Sequence, residues 1–183
     1  MKQPIIISLE GNIGAGKTTL SKYLNNYGFA VHESDKVVSS IYNKPSKLFI
    51  NILKKNISND VVKRGRVNKK KVAHFLFNNN QIKKNLEDYI HKEVEKSRTH
   101  FIKKNSRNKK GVVFIDIPLL LEKKLEKKFS LVICVISQKK IRSQRVLKNK
   151  KFSKAILKKI LASQTTDKER KSRSHIIIYN NKT

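Results

Sequence analysis

The sequence has one cysteine and no tryptophan in 183 residues. A single thiol, Cys134, excludes an internal disulfide framework and a multi-cysteine metal site. It lies inside an apolar run and reads as a small core residue. No apolar run approaches the roughly 18 residues of a membrane span. The stretch Ile5–Leu9 is too short for a signal peptide, and no small-residue cleavage site follows it. The cytosol is therefore the expected compartment, with no membrane partner. Acidic residues are also scarce: 13 Asp+Glu stand against 43 Lys+Arg, a net charge of +30. Taken alone, that charge suggests nucleic acid. However, 35 of the cations are Lys and 8 are Arg, and Asn occurs 17 times. Lys and Asn are the residues of A/T-rich codons, whereas base and phosphate forks favour Arg. The Lys pairs are spread from Lys54-Lys55 to Lys158-Lys159 rather than clustered. No specific nucleic-acid partner is expected, only weak affinity at low salt. A basic nucleic-acid-binding module remains the remote alternative.

Short apolar runs alternate with amphipathic stretches. Ile5–Leu9, Phe29–His32, Val112–Ile115, Leu131–Ile136 and Ile176–Tyr179 read as five strands. Their continuous apolar character predicts a parallel sheet covered on both faces. Leu20, Tyr23 and Leu24 give Lys17–Tyr27 a helical period, and Gly28 ends that helix. Residues 36–105 are polar and helical. Phe49, Ile52 and Leu53 form one stripe, Val72, Phe75 and Leu76 a second, and Leu86, Ile90 and Val94 a third. A mobile polar connection is expected at Asn56–Asn68 and a polar linker at Lys103–Lys110. Two more helices are expected at Lys139–Leu147 and Ser153–Gln164, with Ser153 as N-cap. The fold class is α/β, a five-stranded parallel sheet flanked by helices. A single domain is expected, with a core of 1–35, 111–137 and 164–183, a helical insert of 36–105 and a helical lid of 138–163.

Between the first strand and first helix, Gly11-Asn12-Ile13-Gly14-Ala15-Gly16-Lys17-Thr18 fits G-x-x-x-x-G-K-[ST]. Such a loop wraps its N–H groups inward around phosphate oxygens, and the following helix adds its positive dipole end. Lys17 is placed to reach the β- and γ-phosphates, and the Thr18 hydroxyl to hold Mg²⁺. The expected ATP-binding residues are Gly11, Asn12, Ile13, Gly14, Ala15, Gly16, Lys17, Thr18 and Thr19. The chain therefore reads as a P-loop NTPase fold that binds ATP or GTP with Mg²⁺. No N-K-x-D guanine-reading motif is present, and a helical insert after the second strand suits a small-molecule kinase.

Beyond the loop the chain resembles the dephospho-CoA kinase family along nearly its whole length. Gly28-Phe29-Ala30-Val31-His32-Glu33-Ser34-Asp35 is similar to the family's G-x-x-V-x-D-A-D. Gly65-Arg66-Val67-Asn68-Lys69 followed by Phe77 is similar to G-x-[LI]-x-R and a later Phe. Ile90-His91 resembles I-H-P-x-[VI], with Lys92 in the Pro position. Asp116-Ile117-Pro118-Leu119-Leu120-Leu121-Glu122 matches D-[IV]-P-L-L-[FYL]-E. Arg145 lies nineteen residues before Gln164, as in the family's lid, and Ile178-Tyr179-Asn180 resembles its V-I-x-N ending. The stretch Glu10–Thr18 also resembles the loop of deoxyribonucleoside kinases. Those enzymes carry later Glu-Arg-Ser or Asp-Arg-Ser motifs and an aromatic base-stacking set, which this chain lacks. Deoxyribonucleoside kinase, or another P-loop small-molecule kinase, is the alternative.

The resemblance implies ATP-dependent phosphorylation of the ribose 3′-hydroxyl of dephospho-CoA, with Lys17, Asp35 and Arg145 as catalytic residues. Asp35 would orient the hydroxyl or accept its proton, although an Asp there could equally cap the helix that follows. Arg145 would clamp the transferring phosphoryl, and Arg142, one turn earlier, shares its face. Asn149 stands where the family often has a second lid Arg, with Lys148 or Lys150 as substitutes. Arg170 matches a family Arg and joins the expected ATP-binding set. Asp35, Lys69, His91, Asp116, Pro118 and Leu119 form the expected acceptor-side set. Lys69 stands where the family has Arg, a point charge without the bidentate fork. Asp116, ending an apolar strand, also suits Mg²⁺ held through water. A monomer is expected.

Overall fold

The structure, a computed structural model, describes residues 3–148 and 152–182. In chain order its main elements are β1 (Ile5–Glu10), α1 (Lys17–Asn26), β2 (Ala30–Glu33), α2 (Ser34–Asn43), α3 (Lys47–Asn56), β3 (Val62–Lys63), β4 (Arg66–Val67), α4 (Lys69–Asn78), α5 (Asn80–Arg107), β5 (Val112–Asp116), β6 (Leu131–Ile136), α6 (Lys139–Lys148), α7 (Lys154–Ser163), α8 (Asp167–Ser172) and β7 (Ile176–Tyr179). The chain divides into a sheet unit, residues 1–33 with 102–183, and a helical unit, residues 34–101.

In the sheet unit five strands run parallel in the order β2-β5-β1-β6-β7. The apolar runs explain this arrangement. Leu9, Val113, Ile115, Val132 and Cys134 are fully buried, as strands covered on both faces require. Leu20 and Leu24 of α1 pack on Ile7, Leu9 and Phe114, so the helical stripe seen in the sequence is the face that meets the sheet. Burial pushes the Cys134 thiol up to about 11, which keeps it protonated and unreactive at neutral pH. The central strand β1 has β5 on one side and β6 on the other. Its carboxyl end is thus the crossover point where open α/β sheets bind ligands. Glu33 pairs with Asp116 in register, and Leu9 pairs with Asp116 on the other side. These acidic residues therefore gather at the edge where the Gly11 loop begins.

The helical unit has its own core of Phe49, Leu53, Val61, Val72 and Leu86. Tyr89 stacks on Phe49 at 5.4 Å between ring centroids, and Tyr42 meets it edge-on at 5.3 Å. The expected polar connection across 56–68 is instead built. Val61 is buried there, and β3 pairs antiparallel with β4. Arg64 and Gly65 both have positive φ, 48° and 73°, as a two-residue type I′ hairpin turn demands. Residues 103–107, expected in a linker, continue α5. The short α8 is a helix that the apolar pattern does not predict. Thr166 and Glu169 have capping-box spacing at its start, and Thr166 Oγ1 accepts from the Glu169 N–H at 3.2 Å. The Ser153 cap stands as expected, its Oγ accepting from Ile156 N–H at 3.3 Å. Among the described residues no helix is long and apolar enough to cross a membrane.

Candidate active site

The Gly11–Thr18 loop is shaped by backbone that side chains resist. Gly14 has φ +76°, and a Cβ there would lie 2.7 Å from the Arg142 carbonyl oxygen. Gly16 has φ +109°, and a Cβ there would run into Asn180 Nδ2. Both positions thus need glycine twice over, for the left-handed conformation and for the close approach. Gly16 also serves as the N-cap of α1 without a side-chain cap. The first-turn N–H groups of that helix are left for an anion.

Side chains grip the loop from several elements. The Ala15 N–H bonds the Asn12 carbonyl at 3.0 Å. Asn12 Nδ2 donates to Asp167 Oδ1 at 2.7 Å. Asp167 also receives both guanidinium arms of Arg142, at 2.8 and 3.2 Å. Gln164 Oε1 accepts from the Ile13 N–H at 3.2 Å. Arg145 Nη1 donates to the Gly14 carbonyl at 3.3 Å, and its Nη2 to the Lys182 carbonyl at 2.6 Å. Asn180 Nδ2 donates to the Ala15 carbonyl at 2.9 Å. Of the two arginines one turn apart on α6, Arg142 is buried and committed to Asp167. Arg145 is the one that reaches the loop's Gly14.

Lys17 Nζ stands 3.6 Å from Asp116 Oδ1, with both side chains partly exposed. The loop cation and the strand-end carboxylate are thereby brought together. Thr18 and Thr19 are exposed on the first turn of α1. The Thr18 hydroxyl and the Asp116 carboxylate are oxygen donors of the kind that would hold Mg²⁺. Among the described residues no cluster of three or more His, Cys, Asp or Glu could hold a metal by itself. A cation here would therefore depend on the nucleotide for its remaining ligands.

Arg170 is placed differently from an open nucleotide contact. It is 1% exposed, ion-paired to Glu10 and to Glu122, the latter at 2.5 Å. Its Nε donates to the Thr165 carbonyl at 3.2 Å. Glu10 Oε1 accepts from the Gly11 N–H at 2.9 Å, and Glu122 Oε1 from the Thr165 N–H at 2.7 Å. Arg170 thus fastens the end of β1, the turn after β5 and the α7–α8 junction beneath the loop. Burial, with the neighbouring Arg173 charge, pulls its guanidinium down to about 10, so it remains cationic at neutral pH.

Pro118 and Leu119 lie in the turn after β5. Leu119 is 41% exposed and holds φ +56°, a rare conformation for a bulky residue. In the helical unit, Asp35 is exposed in the first turn of α2, which begins at Ser34. It is therefore inside the helix rather than its cap. Lys69 opens α4 and its Nζ donates to Asn43 Oδ1 at 2.8 Å. His91 is exposed on α5. These three residues are carried by three separate helices. Asn149 and Lys150 lie outside the described residues. Sequence reasoning missed the support under the loop: Glu10, Glu122, Asp167 and Asn180. Glu10, Glu122 and Asn180 stand in motifs of the sequence without a stated role.

The dephospho-CoA kinase family model matches residues 5–183. The chain belongs to the dephospho-CoA kinase family. A dephospho-CoA kinase of Fusobacterium nucleatum is 31% identical over 97% of this chain and 90% of its own length. The crystal structure of TT1252 from Thermus thermophilus superposes with a TM-score of 0.81, at 27% identity over all of this chain and 91% of that one. Dephospho-CoA kinase from Campylobacter jejuni shares the fold, with a TM-score of 0.72 at 23% identity over 97% and 89% of the two chains. Between deoxyribonucleoside kinase, suggested by the loop, and dephospho-CoA kinase, suggested by the motifs beyond it, the match selects dephospho-CoA kinase. ATP use follows from family membership.

Proposed function

We propose that this protein transfers the γ-phosphoryl group of ATP to the ribose 3′-hydroxyl of dephospho-CoA, giving CoA and ADP. The observation that carries the reading is the glycine loop with Lys17 beside Asp116 at the crossover edge, in a chain matched by the family along residues 5–183. The 3′-oxygen forms a bond to the γ-phosphorus as the bond to the β–γ bridging oxygen breaks. The electron pair leaves on ADP, and the hydroxyl proton passes to Asp35. Such a transfer needs positioning and charge stabilisation more than covalent catalysis. Lys17 neutralises the β- and γ-phosphates, and Arg145 clamps the moving phosphoryl. Thr18 and Asp116 are the residues that would hold Mg²⁺, which would supply charge neutralisation on the phosphates. Residues 138–163 act as the lid and 36–105 as the acceptor-side insert, with Lys69, His91, Pro118 and Leu119 meeting the acceptor. The protein works as a cytoplasmic monomer without a specific nucleic-acid partner.

Steady-state ADP release with ATP·Mg²⁺ tests this reading against dephospho-CoA, adenosine, deoxycytidine and thymidine. Turnover of dephospho-CoA alone is the expected result. Turnover of a deoxynucleoside instead would overturn it. Asp35→Asn keeps the shape but cannot accept a proton. It should lower kcat by about 10²–10⁴ with the Kd for ATP nearly unchanged. A loss of stability without a loss of kcat would reduce Asp35 to a helix-terminal charge. Leu119→Gly relieves a left-handed leucine, at the expense of a freer unfolded chain. Thermal unfolding should show stability within about 1 kcal/mol of the parent, while KM for the acceptor rises. An unchanged KM would remove Leu119 from the acceptor side.

A further inference from the structure

Asn180 follows β7 and is fixed by the sheet. Its N–H donates to the Ile136 carbonyl at 2.7 Å, extending by one residue the register that pairs Ile136 with Tyr179. The next two residues are tied down as well. Asn181 Oδ1 accepts from the Gln138 N–H at 2.9 Å, and the Lys182 carbonyl accepts from Arg145 at 2.6 Å. The Asn180 side chain is thus delivered to the loop by an anchored backbone, and little entropy opposes its contact. Its Nδ2 donates to the Ala15 carbonyl at 2.9 Å and packs so closely that only glycine fits at position 16.

The geometry of the peptide unit gives this contact a consequence. The described chain has no cis peptide bonds, and in a trans unit the C=O and the following N–H point in opposite directions. Holding the Ala15 carbonyl toward Asn180 turns the Gly16 N–H away from Asn180. A phosphate-binding nest is made by successive N–H groups aimed at one point. Neighbouring carbonyls are held too, Gly14 by Arg145 and Asn12 by the Ala15 N–H. Asn180 is the side chain that fixes the plane between Ala15 and Gly16.

We propose that Asn180 is a positioning residue of the phosphate loop: by holding the Ala15 carbonyl, it aims the Gly16 N–H at the nucleotide's phosphates. This rests on the reading of the loop as the ATP site. It predicts a loss confined to phosphate recognition, not to adenosine or to folding.

The test is calorimetric binding of ADP and of inorganic pyrophosphate to the protein and its Asn180→Ala variant. Both ligands should weaken by the same factor, about three- to tenfold, as expected for one lost hydrogen bond. KM for ATP should rise in parallel. If ADP weakens and pyrophosphate does not, Asn180 serves the adenosine side and the proposal fails. If the melting temperature falls while both affinities stay unchanged, Asn180 only tethers the chain end, and the proposal fails. Should Asn180→Ala fold poorly, Asn180→Ser, uncharged and too short to replace the amide at the Ala15 carbonyl, is held to the same comparison. Absence of ADP binding by the parent protein would instead remove the ATP-site reading, and this inference with it.

Discussion

Lys17→Ala should lower kcat at least 10²–10³-fold while leaving the protein folded. Removal of one preorganised charge or donor from developing transition-state charge costs on that order, about 3–4 kcal/mol. The folded state has little to lose by comparison. Lys17 stands 3.6 Å from Asp116, and both side chains retain solvent access. Pairs of that kind contribute roughly 1 kcal/mol or less. Melting temperature should therefore scarcely move. Single-turnover kinetics at saturating ATP separates the chemical step from binding. A kcat within tenfold of the parent would mean that Lys17 does not face the transferring phosphate. Lys17→Met, which keeps the aliphatic stem, should be as inactive as Lys17→Ala.

The second large effect concerns stability. Arg170→Met should destabilise the protein by about 3–5 kcal/mol, because it strands two carboxylates of which one is deeply buried. Glu10 is 1% exposed and Arg170 itself 1%. For a chain of this size that loss lowers the melting temperature by roughly 6–20 °C. Arg170→Lys should recover only part, since one ammonium cannot serve Glu10, Glu122 and the Thr165 carbonyl together. Combining Arg170→Met with Glu10→Gln and Glu122→Gln removes the stranded charge and should recover most of the stability. If Arg170→Met melts with the parent but raises KM for ATP, then Arg170 meets the nucleotide directly, as the sequence resemblance suggested, and not through the loop it supports.

The contrast between Lys17 and Arg170 shows what could be read from residues in order. Lys17 belongs to a contiguous motif whose spacing carries its own chemistry, so its place was legible. The inner strands were legible because buried parallel strands are continuous apolar runs, such as Val112–Ile115 and Leu131–Ile136; the edge strand β7 carries the same kind of run although Ile176, Ile178 and Tyr179 are exposed. Arg170 has no such local signature. Its surroundings come from Glu10, 160 residues earlier in the chain, and Glu122, 48 earlier, and only the fold brings these together. The β3–β4 hairpin was missed because two-residue strands are too short to show alternation. Its positive-φ turn at Arg64-Gly65 was marked by a single glycine. The α8 helix was missed because DKERKS has no apolar stripe, although Thr166 and Glu169 carried the capping-box spacing. In the sequence Asn180 stands at the end of a strand motif. Its contact with Ala15, 165 residues away, could not be inferred from that position.

The most direct measurement of the central claim is the position of the new phosphate. Dephospho-CoA and ATP labelled in the γ-phosphoryl group would be incubated with the protein, and the product characterised by mass spectrometry and phosphorus NMR. The account predicts one equivalent of label per acceptor, on the ribose 3′-oxygen, with one ADP formed per CoA. Label at another hydroxyl, or ADP formed with no labelled acceptor, would contradict it.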